Sequence, residues 1–155
     1  MIEIEIDLQK FAAALAKLDP ATLNQRTRAA LQESISYIEA LVVNAIPVNT
    51  GNTRQGVFTD VRGQTLASLR GIVASPHKHA LVLERGRTPG KRMPPEGPIA
   101  LWALRKLGVN DAGVVFLIRR AIGRRGLPAL KMFENAALKA PPIVEAIFAK
   151  HLRAL

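Results

Sequence analysis

A helical pattern that opens at Asp19-Pro20 and is cut off by Pro47 constrains this fold more than any other stretch. Asp is a favoured N-cap, and Pro suits the first helical position, where a backbone N–H would lack a partner anyway. Thr27, Leu31, Ile35, Ile38, Leu41, Val42 and Ala45 then recur along one stripe, as in a helix buried on one side. Pro47 stops the pattern because its ring clashes with the preceding turn and it donates no hydrogen bond. At about 1.5 Å per residue the segment makes a rod of about 40 Å, long for a chain of 155 residues. The remaining elements are expected to pack against it.

Around this rod the patterning changes period several times. Ile2, Ile4, Ile6 and Leu8 alternate as in a strand, and Leu8, Phe11, Leu15 and Leu18 then share one helical face. Residues 57–62 and 69–75 are rich in Val, Ile, Phe and Thr and flank Gly63-Gln64-Thr65, which predicts an antiparallel hairpin. Residues 79–84 are too short to assign to helix or strand. Residues 86–98 hold four Pro and three Gly and read as a loop. Helical faces return at Ile99, Trp102, Ala103 and Leu107, stopped by Gly108. Asp111 then caps a helix carrying Val114, Val115, Ile118, Ala121 and Ile122. Residues 127–138 form a further amphipathic piece, and a separate C-terminal helix is expected after Pro141-Pro142. The fold class is therefore α+β: a long helix on a small antiparallel sheet, with additional helices in the C-terminal half. One domain spans 1–155, with an arm over 1–18 and a terminal helix over 140–155.

Composition narrows the function. Hydrophobic residues make up 48% of the chain but aromatics only 5%, so Leu, Ile, Val and Ala must fill the core. No cysteine is present, which excludes disulfides and thiolate metal sites. The first residues alternate apolar with acidic side chains, unlike a signal peptide, and no apolar run reaches membrane-span length. A cytoplasmic site of synthesis and no membrane partner are expected. Lys and Arg total 22 against 12 Asp and Glu, a net charge of +10 that favours polyanions or acidic partner surfaces. The excess gathers at Arg85, Arg87, Lys91 and Arg92 in one loop and at Arg119, Arg120, Arg124 and Arg125 near one helix end.

Catalytic chemistry finds little support. His77 and His79, with Glu84 as a third ligand, are a weak metal signal, since no other convergent acidic cluster accompanies them and a site needs three or more placed ligands. No Gly-x-Ser-x-Gly nucleophile or Walker-spaced phosphate loop occurs, so no enzyme, cofactor or metal is expected. The Arg residues at a helix C-terminus are partly accounted for by the macrodipole, and otherwise suit phosphate contact. No zinc finger, RNP aromatics or reading helix accompanies them, so any nucleic-acid contact is non-specific. The apolar faces near both termini suit either the core or a subunit contact.

Three stretches together resemble the small neck or tail-completion proteins of long-tailed bacteriophages. The first family signature, Pro-x-Asp-Thr-Gly-x-Leu-Arg, is matched by Pro47, Thr50, Gly51 and Arg54, with Asn49 in place of Asp and Thr53 in place of Leu. The second, Tyr-Ala-x-x-x-Glu-x-Gly, is matched by Ala80, Glu84 and Gly86, with His79 at the aromatic position. The third combines Met93-Pro94-Pro95, a Trp-containing helix, and Arg124-Arg125-Gly126-Leu127-Pro128-Ala129 leading to Phe133. Met132-Phe133-Glu134-Asn135 departs from the family, which more often has Pro on both sides of the Phe. The resemblance covers roughly residues 20–139.

The resemblance implies a structural virion protein that forms a homo-oligomeric ring at the head–tail junction, around the channel through which DNA passes. Its implied partners are head-closure or connector proteins, tail-terminator or tail-tube proteins, and double-stranded DNA bound without sequence preference. Assembly would take place in the bacterial host cytoplasm. Asn49, Thr50, Gly51 and Arg54 are expected to hold the turn after the long helix, with Arg54 paired to Glu84. The loop carrying Arg85, Arg87, Lys91 and Arg92 is expected to meet a partner or DNA. A tail-terminator ring and a prophage-encoded non-specific nucleic-acid-binding protein are the alternatives.

Overall fold

The computed structural model describes residues 2–7, 19–48 and 51–153. Its architecture is α+β and is organised on helix α1 (Pro20–Ala45). Asp19 caps α1 by accepting the Thr22 N–H at 3.0 Å, as its position before Pro20 predicts. Leu23, Thr27, Leu31, Ile35, Ile38 and Val42 are buried along the expected stripe, whereas Ala45 is exposed.

One side of α1 carries a three-stranded antiparallel sheet in the order β1-β3-β2. Its strands are β1 (Ile2–Asp7), β2 (Phe58–Arg62) and β3 (Arg70–Ser75). The alternating N-terminal stretch is thus an edge strand, with Ile4 opposite Val73. A Cβ on Gly71 would lie 2.5 Å from Ile35 Cγ2 and 2.9 Å from Leu31 Cδ1. The bare glycine is what lets the central strand lie directly on α1. The helical reading of residues 8–18 falls outside the described residues.

Past α1, a short helix α2 (Asn52–Gln55) leads into β2. The undecided segment 79–84 is helical, within α3 (Lys78–Arg85). The Pro-rich loop is shorter than expected, because Gly97 and Pro98 lie in the first turn of α4 (Glu96–Leu107). Pro is tolerated there, where backbone N–H groups have no intrahelical partner. Asp111 caps α5 (Ala112–Arg125) by accepting the Val114 N–H at 2.8 Å.

The C-terminal elements require a correction. The sequence predicts a piece over 127–138 and a separate helix after Pro141-Pro142, but one helix, α6 (Met132–Leu152), runs through both prolines. Interior Pro costs about 3 kcal/mol. Here α6 makes the most extensive helix–helix packing in the protein, along α1, and buries Phe133, Ala136, Ala140, Ile147 and Phe148 on it. Ala137 and Leu138, whose carbonyls lose their helical donors to the prolines, are exposed to water. Tertiary burial overrides the local break.

Candidate interaction site

Helices α4 and α5 form a hairpin that packs chiefly on itself and only sparsely on the other elements. Its base is closed by a backbone clasp. Arg87 N–H donates to Leu127 O and Leu127 N–H to Arg87 O, both at 2.9 Å, as an isolated antiparallel bridge. The residue before each partner is a glycine at positive φ, Gly86 at 71° and Gly126 at 72°. A Cβ on Gly86 would lie 2.6 Å from Leu127 O, and one on Gly126 would lie 2.0 Å from Arg87 O. The glycines of the second and third sequence signatures therefore have one shared structural use.

Glu84 lies beside the clasp and does not pair with Arg54 as the sequence reading expects. Its two carboxylate oxygens accept the N–H groups of Phe133 and Glu134, each at 2.9 Å. These are among the unpaired donors at the start of α6, where the helix dipole also favours negative charge. The carbonyls of Leu83 and Glu84 accept in turn from Leu130 and Lys131. Glu84 thus joins the end of α3 to the start of α6. Lys131 precedes α6 in the left-handed region at φ 51°, and its ion pair with Glu134 raises its pKa.

Arg54 turns the other way. Its Nε donates to Ile46 O at 2.8 Å, satisfying a carbonyl just past the end of α1. Pro47 and Gly51 line the same opening as Arg54, whereas Asn49 and Thr50 lie outside the described residues. Ala80 is buried. The second signature's aromatic position, His79, faces the same opening as Arg54.

Between the core and the hairpin lies a cleft of about 590 Å³. Pro47, Arg54, His79, Arg87, Pro94 and Trp102 line it, so all three signature stretches meet there. A neighbouring recess of about 420 Å³ is bounded by Arg87, Arg92 and Arg119. Among the described residues, no acidic one lines either.

The basic residues fall into two groups. Arg119 is a strut: its Nε donates to Pro94 O at 2.9 Å and its Nη1 meets Glu96 Oε2 at 2.7 Å. Arg87 is half-buried, donates through Nη2 to Arg92 O, and has a buried Nε without a partner. Arg85, Lys91, Arg92, Arg120, Arg124 and Arg125 are exposed. The hairpin also exposes Leu107 and Val114, which helical periodicity placed on apolar faces, together with Leu101, Leu104, Phe116 and Leu117, which it did not single out.

Among the described residues, no group of three or more His, Asp or Glu is placed to hold a metal ion. Among the same residues, no helix is long and apolar enough to cross a membrane. No protein-family model, curated protein or solved structure matches the chain.

Proposed function

We propose that this chain is a structural subunit of the neck or tail-completion assembly of a long-tailed bacteriophage, forming a ring at the head–tail junction around the DNA channel. The observation that carries the reading is the convergence of the three signature stretches on one cleft. Gly86 and Gly126 allow the clasp, Glu84 seats α6, and Arg54 closes α1. The residues behind the resemblance thus act together to hold a projecting helical hairpin, as a subunit that works by docking requires.

The surface chemistry supports the same reading. An apolar hairpin face standing clear of the core suits a contact between subunits. The exposed Lys91, Arg92, Arg120, Arg124 and Arg125 suit a channel that passes DNA, where charge neutralisation needs no sequence readout.

The test is complementation with Lys91→Ser/Arg92→Ser protein, since both side chains are exposed. The variant should keep the parent's circular dichroism and denaturation midpoint while heads and tails fail to join. Normal joining would overturn the assignment of this loop.

A further inference from the structure

We propose that the cleft between the core and the α4–α5 hairpin seats an extended segment of a partner protein in which acidic side chains alternate with bulky apolar ones. This deepens the docking reading of the same cleft and rests on it only for the partner's place in the neck.

The cleft joins cationic side chains to an apolar lining. Arg54 comes from α2, His79 and Val82 from α3, and Ile99 and Trp102 from α4, with Arg87 in the loop between core and hairpin. Its volume of about 590 Å³ suits a few side chains held in a pocket. Because the hairpin packs chiefly on itself, a segment seated there touches both the core and the hairpin.

The positive charge in the cleft is uncompensated. Among the described residues, neither Arg54 nor Arg87 makes an ion pair. Arg54 uses its Nε on Ile46 O. Arg87 reaches Arg92 O through Nη2, while its Nε is buried with no partner. A buried donor left unpaired on a charged group is costly, and a carboxylate is the acceptor that the planar guanidinium fork matches. Glu84, next to the lining Leu83, cannot serve, because the N–H groups of Phe133 and Glu134 hold both of its carboxylate oxygens. An Asp or Glu of a partner supplies the missing charge.

The apolar lining decides which anion fits. Ile99 and Trp102 are half-buried and Val82 is exposed, so an aromatic or aliphatic side chain can fill the space beside the carboxylate, as anchors at protein interfaces do. Duplex DNA presents phosphates on a convex, hydrated surface, which a concave apolar cleft does not match.

Trp102 is the only tryptophan in the chain, so its fluorescence reads the cleft directly in the full-length protein. The probe is the peptide N-acetyl-Gly-Glu-Phe-Asp-Leu-Glu-Gly-amide, with its Gln/Asn/Gln counterpart as the neutral control. The acidic peptide should change Trp102 emission saturably and bind roughly tenfold or more tightly than the neutral one, with the difference shrinking at high salt. Arg87→Met removes the charge and keeps much of the packing, and Val82→Glu places an acid in the cleft at an exposed position. Each should weaken binding by a similar factor, whereas Val82→Lys, of similar size, should not. Circular dichroism is the folding control for all three variants. Equal binding of the acidic and neutral peptides, no saturable change up to about 1 mM peptide, or equal binding by Val82→Glu and Val82→Lys overturns the proposal. Displacement of the peptide by a short DNA duplex would assign the cleft to phosphate and also overturn it. Peptide binding by a protein whose gene deletion leaves infectious particles intact would keep this site and remove the neck reading instead.

Discussion

Arg87 and Leu127 exchange two 2.9 Å backbone hydrogen bonds, although Pro-rich loop and two helices separate them in sequence. The pair turns residues 88–126 into a closed excursion with one narrow base. Its cost is borne by Gly86 and Gly126, whose positive φ and missing side chains let the two backbones meet.

Gly86→Ala and Gly126→Ala should each destabilise the protein by about 2 kcal/mol or more, from backbone strain combined with the clash. Gly97, in the first turn of α4, has open space around it, and Gly97→Ala serves as the near-neutral control. Chemical denaturation gives the energies. Amide exchange at Arg87 and Leu127 should accelerate in the first two variants and not in the third.

Glu84→Ala should cost about 2–3 kcal/mol, because two N–H groups of α6 lose an ionised acceptor. Glu84→Gln keeps one carbonyl oxygen and should lose about half as much. Equal stability of Glu84→Ala and the parent in urea would remove the carboxylate from its place at the α3–α6 junction.

Gly71→Ala should cost about 1–3 kcal/mol by overpacking, since the added methyl meets Ile35 and Leu31 below ordinary contact distance. Trimming the opposing side chain in Gly71→Ala/Ile35→Val should recover part of the loss. A double-mutant cycle by thermal denaturation reads the coupling.

Pro141→Ala should stabilise by about 1–3 kcal/mol, because it restores a hydrogen bond at a solvent-exposed position inside a continuous helix. Loss of stability would show that the prolines shape the path of α6 along α1.

The pH dependence follows from Glu33. Its hydrogen bond from His151, supported by Lys150, holds its pKa below the usual carboxylate value. A depressed carboxylate stabilises the fold above its unfolded pKa, and the contribution disappears as pH falls through the folded value. Asp19 is shifted the same way by its bond with Thr22. Glu33→Gln should therefore differ most from the parent near neutrality and approach it in acid, as read from denaturation midpoints across pH.

The sequence revealed the elements whose signals are local. The Asp19-Pro20 cap, the α1 stripe, the period-two N-terminus and the Asp111 cap each depend on neighbours within a few residues. What it hid depends on distant partners. Glu84 looks like a candidate for an Arg ion pair until α6, some fifty positions later, presents bare N–H groups to it. Arg119 belongs to a basic run by composition, yet Pro94 and Glu96 hold it in place. Pro141-Pro142 reads as a break because local propensity cannot register the burial against α1. The resemblance identified Gly86 and Gly126 separately, and only the fold shows that they meet.

The most direct measurement is deletion of the gene from its source genome, with the lysate imaged by negative-stain electron microscopy. Filled heads beside separate tails of normal length are the predicted result. Overlong tails would move the protein to the tail-terminator position, and intact infectious particles would contradict the account.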